Sequence, residues 1–255
     1  MNITQIRSAT LIVDYAGKRF LVDPMLSDQG EQDPFPGTPN AHLRNPLVPL
    51  PMPVDEVLRV DAVIVTHLHR DHWDDAAARL VPRDLPLFAQ NEADRAKLAG
   101  QGFTNVGLID GARLGAVTLA RTPGQHGSDE AIAKLGARLG EVCGVVFRAD
   151  GEKTLYLAGD TVWNDFVRQS IDVHAPGAII VNCGDARIDA VGSIIMGKDD
   201  VLEVCRAAPS AAIVATHMEA VNHAVLGRAE LRDFLTAHGL AGRVAIPADG
   251  ETLQV

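Results

Sequence analysis

Cysteine is scarce: the 255 residues hold three, Cys143, Cys183 and Cys205, with no C-x-x-C spacing. That pattern excludes a disulfide scaffold and a thiolate zinc knot, and it points to free thiols in a reducing compartment. Basic residues are in deficit, 23 Lys and Arg against 33 Asp and Glu, giving a net charge of −10. Phosphate contacts need a basic face, so no nucleic-acid partner is expected. No stretch approaches 18 apolar residues, and the first eight residues lack the apolar run of a secretion signal. The expected protein is cytoplasmic, with no membrane partner. The patterns G-x-S-x-G, G-x-x-x-x-G-K-[ST] and G-x-G-x-x-G are all missing, which removes serine-hydrolase elbows and nucleotide cradles as leading candidates.

What is present is an ordinary globular composition, 47% apolar and 22% charged. A chain of this length buries roughly 70–75% of its unfolded surface, so it needs no staples. The first residues read as antiparallel strands over 3–6, 10–15 and 19–22, with Ala16-Gly17-Lys18 turning between the last two. Seven of the 14 prolines then fall between Pro34 and Pro53. Such a segment is neither helix nor central strand, and residues 29–53 read as an ordered surface loop, a candidate lid with Phe35 placed to cover a pocket.

From Val57 onward short apolar strands alternate with helices. Strands are expected over 62–66, 117–121, 142–148, 154–158, 178–182, 211–216 and 244–246, and helices over 74–80, 92–98, 199–207 and 229–237. No repeat or linker interrupts the chain, so a single domain over 1–255 is expected.

Chemistry collects at the ends of these strands. The run Asp61-Ala62-Val63-Ile64-Val65 leads into Thr66-His67-Leu68-His69-Arg70-Asp71-His72, three of the nine histidines and an aspartate within six residues. Side chains two apart in extended backbone point the same way, so His67 and His69 can reach one ion together. Asp71 and His72 follow on the turn into a helix that Asp74 is placed to cap. Imidazole and carboxylate form the ligand set of zinc, manganese or iron, and four such groups at a strand end cost desolvation unless something binds them. Other strand ends present His126, Asp160, Asn182 to Asp185, and His217. Ligands of α/β proteins bind outside the carboxyl ends of strands.

The series His67-x-His69-x-Asp71-His72, His126, Asp160 after Ala158-Gly159, and His217 resembles the metallo-β-lactamase superfamily in order and spacing. Asp23-Pro24 after the first strands resembles the opening of its broader hydrolase branch, the branch that contains ascorbate-phosphate lactonase and many uncharacterised metal-dependent hydrolases. The resemblance implies an α/β (α+β) fold, a four-layer αββα sandwich. It implies one ion on His67, His69 and His126, a second on Asp71, His72 and His217, and Asp160 bridging them. Two divalent ions, Zn or Mn with Fe as an alternative, would hold a water or hydroxide as the nucleophile. Asp71 would be a ligand or would orient that nucleophile.

In His217-Met218-Glu219-Ala220-Val221-Asn222-His223, the strand-end His217 is favoured as ligand over His223. His223 is then a catalytic donor to an oxyanion or leaving group, unless both histidines cap the next helix. Asn222, Glu219, Trp163 and Phe35 are candidate substrate contacts. Asn182-Cys183-Gly184-Asp185 departs from the apolar-Gly-Gly run expected of the lactonase branch. The expected activity is metal-dependent hydrolysis of a small-molecule lactone, amide or phosphoester. An iron-dependent thiol oxygenase, or a metal-loaded binding protein without turnover, is the alternative. Against a flavin-linked di-iron version stands His69, where that branch usually carries glutamate. A homo-oligomer built on an edge strand or helix face is an open expectation.

Overall fold

The structure is a computed structural model describing residues 1–255. Two seven-stranded sheets carry most of the chain. The first contains β1 (Asn2–Arg7), β2 (Thr10–Tyr15), β3 (Lys18–Val22), β4 (Ala62–Val65), β5 (Leu87–Ala89), β6 (Val106–Leu108) and, from the C-terminus, β16 (Thr252–Gln254), in the order β16-β1-β2-β3-β4-β5-β6. The second contains β7 (Arg113–Leu114), β8 (Val117–Pro123), β9 (Cys143–Arg148), β10 (Leu155–Leu157), β11 (Ala178–Asn182), β14 (Ala212–Thr216) and β15 (Val244–Ala245), in the order β15-β14-β11-β10-β9-β8-β7. A small ribbon, β12 (Arg187–Ile188) with β13 (Gly192–Ser193), lies outside both. The helices are α1 (Val54–Val57), α2 (Asp75–Leu80), α3 (Glu92–Gly100), α4 (Asp129–Leu139), α5 (Asp165–His174), α6 (Lys198–Ala207) and α7 (Arg228–Ala237). None is long and apolar enough to cross a membrane.

The period-two geometry of a strand sorts the apolar residues into layers. On β4, Ala62 and Ile64 join Leu11, Val13 and Phe20 against Val145, Phe147, Leu157 and Ile180 of the other sheet. Val63 and Val65 point the other way, to Ala76, Ala77 and Leu98 of α2 and α3. On β11, Ala178 and Ile180 face the inter-sheet core, while Ile179 and Val181 meet Val167, Ile171, Val201, Val204, Leu231 and Leu235 of α5, α6 and α7. Helices, sheet, sheet, helices: the architecture is αββα, as expected.

The first three strands form an antiparallel meander, and β3 to β6 run parallel. In the second sheet β10, β11, β14 and β15 are parallel, β9 pairs antiparallel with β10, and β8 pairs antiparallel with β9 and so runs with the parallel block. This topology brings the carboxyl ends of β3, β4, β8, β10, β11 and β14 to one side of the molecule. Asp74 caps α2, accepting from the Ala77 amide. Helices α4 and α5 and strands β5, β6 and β7 are additions to the sequence reading. The helices' N-caps, Ser128 and Asn164, are visible in the sequence, and both helices are amphipathic, α4 burying Ala131 and Leu139 and α5 burying Val167 and Ile171.

The proline-dense loop forms no helix or strand, only the bridge Gln32↔Asn45. It is clamped at both ends. At its root the buried Arg7 guanidinium donates to the carbonyls of Met25, Ser27 and Val48 at 2.7, 2.9 and 2.9 Å. The Asp74 carboxylate accepts from the Ser27 amide at 2.8 Å and from Gln32 Nε2 at 3.1 Å.

Candidate metal centre

Seven side chains from four strand ends converge. His67, His69, Asp71 and His72 leave β4; His126 follows β8, Asp160 follows β10 and His217 follows β14. Their ligand atoms form three overlapping groups able to hold a metal ion: His67, His69 and His126; His67, His72 and Asp160; and Asp71, His72 and His217. Within each group the atoms lie within 4.8 Å of one another. Six of the seven are buried and His69 is half-buried.

Each imidazole has one nitrogen tied to protein outside the cluster. His67 Nδ1 lies 3.2 Å from Thr66 Oγ1, His72 Nδ1 lies 2.8 Å from Asp23 Oδ2, and His217 Nδ1 lies 3.3 Å from Ser8 Oγ. His126 Nδ1 donates to the Ile194 carbonyl at 2.9 Å, and His69 Nε2 to the Arg138 carbonyl at 3.2 Å. Metal-binding histidines are held in this way, because the outer hydrogen bond sets the tautomer and orients the ring. The inner nitrogens crowd together: His67 Nε2 and His69 Nδ1 are 3.0 Å apart, and His72 Nε2 and His217 Nε2 are 3.2 Å apart. Neutral rings cannot all satisfy one another at such distances, whereas a cation accepts every lone pair. The donor set fits a divalent ion.

Charge tells the same story. Burial works to raise the Asp160 and Asp71 carboxyls, but the surrounding histidines, His72 foremost, hold both well below the usual carboxylate range. Burial works to lower His72, yet Asp160, Asp23 and Asp71 outweigh it and keep that ring well above its usual value. His217 is raised by Asp160 and Asp71 in the same way, against burial. The carboxylates thus draw protons onto two histidines, charge that a cation would supply. His67 and His126 are lowered by burial, His126 to about 4, and are neutral donors at pH 7.

Backbone strain marks the site. Asp23 and His217 take left-handed φ values of 47° and 64°, a conformation that non-glycine residues rarely hold unless their surroundings enforce it. Gly159, at φ 70°, sets the turn before Asp160; a Cβ there would lie 2.3 Å from the Cys143 carbonyl. Asn182 Nδ2 then donates to Asp160 Oδ1 at 2.7 Å and aims that carboxylate.

A cleft of about 210 Å³ opens on the cluster. His69, Asp71, His126 and Asp160 line it together with the apolar side chains of Phe35, Leu68, Leu139, Ile188 and Ile194. His223 also lines it. Its ring packs edge-on against Phe35 at 4.5 Å between centroids, its Nδ1 is buried without a partner, and burial lowers it to about 4. His223 belongs to none of the three metal groups, and neither it nor His217 caps a helix; Gly227 stands at the N-cap of α7.

Three candidate substrate contacts are placed elsewhere. The Glu219 carboxylate is engaged by the Arg228 amide and guanidinium, both at 2.7 Å, and does not reach the cleft. Trp163 packs against the core between the second sheet and its helices. Asn222 is fully buried and its amide has no capacity left for a substrate. Oδ1 accepts from the Phe35 amide at 3.2 Å and Asn45 Nδ2 at 2.8 Å, and Nδ2 donates to Thr38 Oγ1 at 2.9 Å and the Pro39 carbonyl at 2.8 Å. Asn222 is therefore the second clamp of the proline-dense loop. The sequence reading gave no role to Asp23, Ser8, Asn182, Arg70 or Arg138. For Asp23 and Asn182 the signal was their place at strand ends; Ser8 and the two arginines carried none. Asp185 faces Arg187 and Ser193 instead of the cluster. All three cysteines are free and buried, and burial pushes the Cys183 thiol up to about 12.

A beta-lactamase superfamily domain matches residues 18–218. The UPF0173 protein YddR of Bacillus subtilis is 48% identical over 254 residues, 99% of each chain. This chain belongs to the UPF0173 family of the beta-lactamase superfamily. A UPF0173 metal-dependent hydrolase of Xanthobacter autotrophicus is 29% identical over 198 residues, 72% of each chain. Among solved structures, an isothiocyanate hydrolase from Delia radicum gut bacteria is 48% identical, with a TM-score of 0.97 covering 100% of this chain and 99% of that one. A possible metal-dependent hydrolase from Veillonella parvula is 40% identical with a TM-score of 0.98, covering 100% and 99%. The His and Asp cluster described above thus lies in a UPF0173 metal-dependent hydrolase.

Proposed function

We propose that this protein hydrolyses small isothiocyanates, R–N=C=S, to the amine R–NH₂ and carbonyl sulfide, with two divalent ions, zinc or manganese. His67, His69 and His126 would hold one ion, Asp71, His72 and His217 the other, and Asp160 would stand between them. The observation that carries the reading is a cleft that joins candidate ligand groups to apolar side chains, in a chain similar over its full length to an isothiocyanate hydrolase. An isothiocyanate has this shape: an apolar R group joined to a compact electrophilic carbon.

Bound divalent ions supply hydroxide at neutral pH, by lowering the pKa of water from 15.7 toward about 7, and positive charge beside the atom that becomes anionic. The chain's own residues do the rest. Phe35, Leu139, Ile188 and Ile194 take the R group and exclude water from it. His223, neutral at pH 7, presents a ring N–H to the substrate nitrogen. The balance is closed: the oxygen of one water joins the carbon, its two hydrogens end on nitrogen, and the C–N bond breaks.

A lactone or amide offers the same kind of electrophilic carbon, and these with a phosphoester are the comparison substrates. Amine release from benzyl isothiocyanate by the metal-loaded protein, faster than turnover of the comparison panel, supports the reading. Turnover of a lactone or phosphoester with no amine release from isothiocyanates would overturn it.

A further inference from the structure

Two arginines stand at the rim of the cleft, and nothing in the hydrolytic chemistry uses them. Arg70 and Arg138 both line it, and both are exposed. The only acids in the cleft wall are Asp71 and Asp160, which belong to the metal groups.

Arg70 makes no hydrogen bond or ion pair with the protein; its guanidinium carbon lies 5.2 Å from the centroid of the Phe35 ring. Of the three acids that share a neighbouring depression with Arg70, Glu31 and Asp33 are paired with Arg79 and Arg44, and Asp75 makes no ion pair with Arg70. Arg138 uses only Nη2, donating to the Pro36 carbonyl at 2.6 Å, and has no carboxylate partner. The two guanidinium groups are therefore held against consecutive residues, Phe35 and Pro36, of a loop that Arg7 and Asn222 keep in place. Planar cations with free N–H donors, positioned by a fixed loop, suit a carboxylate or another planar anion. In a chain of net charge −10, an anion is repelled at long range, so its capture needs a local cationic pair.

Resting on the hydrolase reading above, we propose that the preferred substrate carries an anionic group, a carboxylate in the simplest form, remote from the reacting carbon, and that Arg70 and Arg138 bind it. The substrate class is then an isothiocyanate with an apolar middle against Phe35 and an acidic end at the rim. A neutral isothiocyanate fills the same cleft and leaves the rim empty.

The test compares benzyl isothiocyanate with its 4-carboxy derivative as substrates, and the two amine products as ligands, on the metal-loaded protein. Wild type should favour the carboxylate by about tenfold in kcat/KM and in product Kd, the size expected of charge-assisted hydrogen bonds. In Arg70→Ala, and in Arg138→Gln, which keeps a donor for the Pro36 carbonyl, that ratio should fall toward one. A wild-type ratio near one, or a ratio unchanged in both variants, overturns the proposal; the latter means that the carboxylate binds the ions. The binding arm needs no turnover. Arginine-dependent binding of the carboxylated amine without hydrolysis of either isothiocyanate would sustain the anion site and sink the hydrolase reading instead.

Discussion

His72 Nδ1 lies 2.8 Å from Asp23 Oδ2, and both groups are buried. The same Asp23 carboxylate accepts from the amide and the hydroxyl of Thr66, each at 2.7 Å, one residue before the histidine cluster begins. Asp23 thus ties the end of β3 to the end of β4 and turns the other face of His72 toward Asp160, 3.1 Å away. Replacing Asp23 by Ala removes the partner that orients His72. Metal affinity should fall by about 10–100-fold, measured by competition with a chromogenic chelator. Unchanged affinity would make Asp23 a purely structural residue.

Proton release is the second prediction. His72 and His217 hold protons drawn there by Asp160, Asp71 and Asp23 when no ion is bound. A divalent ion needs their lone pairs, so loading at pH 7 should release protons. Calorimetry in buffers of different ionisation enthalpy counts them. No buffer dependence would contradict the charge pattern.

The third concerns acid. His126 and His223 are buried and neutral, each lowered to about 4 from 6.5. Their depressed values mean that the unfolded chain takes up protons first as pH falls. Stability is full above about pH 6.5 and is lost progressively down to about pH 4, by up to about 3 kcal/mol per histidine. Denaturant unfolding of the metal-free protein at pH 7, 5.5 and 4.5 checks the window. His223→Phe should remove part of the slope.

Much of the site was legible in the sequence, and the reasons are physical. His67 and His69 are two apart just past the end of β4, so the alternation expected of extended backbone already pointed to their convergence, although the strand itself ends at Val65. Asp160 and His217 could be found because parallel strands present their carboxyl ends together. What a side chain does once there was less legible. Asn222 and Glu219 sit beside His223 in the chain, yet Asn222 turns to the proline-dense loop and Glu219 to Arg228, because each finds full hydrogen-bond satisfaction away from the cleft. Arg70 and Arg138, 68 positions apart on the turn after β4 and the end of α4, share a cleft wall only because the sheets stack. The αββα layering followed from the family resemblance, and the apolar alternation along β4 and β11 agrees with it; α4 and α5 were not among the expected helices.

The Asn222 clamp yields a fourth prediction. Asn222→Ala leaves the Phe35 amide, Asn45 Nδ2 and the Pro39 carbonyl without their partner, at a cost of about 1–3 kcal/mol for a buried group left unpaired. The melting temperature should drop. Amide exchange at Phe35 should accelerate, while the metal content stays at the wild-type level, because Asn222 touches no ligand. Loss of metal in this variant would mean that the loop supports the cluster itself.

The central claim is that the His and Asp cluster grips the ions that make this protein a hydrolase, and one measurement meets it most directly: amine release from benzyl isothiocyanate by wild type and Asp160→Ala, before and after chelation and reloading with Zn²⁺ or Mn²⁺. Wild type should lose activity on chelation and regain it on reloading, and Asp160→Ala should stay inactive with less bound metal. Amine release that survives complete metal removal, or a fully metal-loaded and active Asp160→Ala protein, would contradict the account.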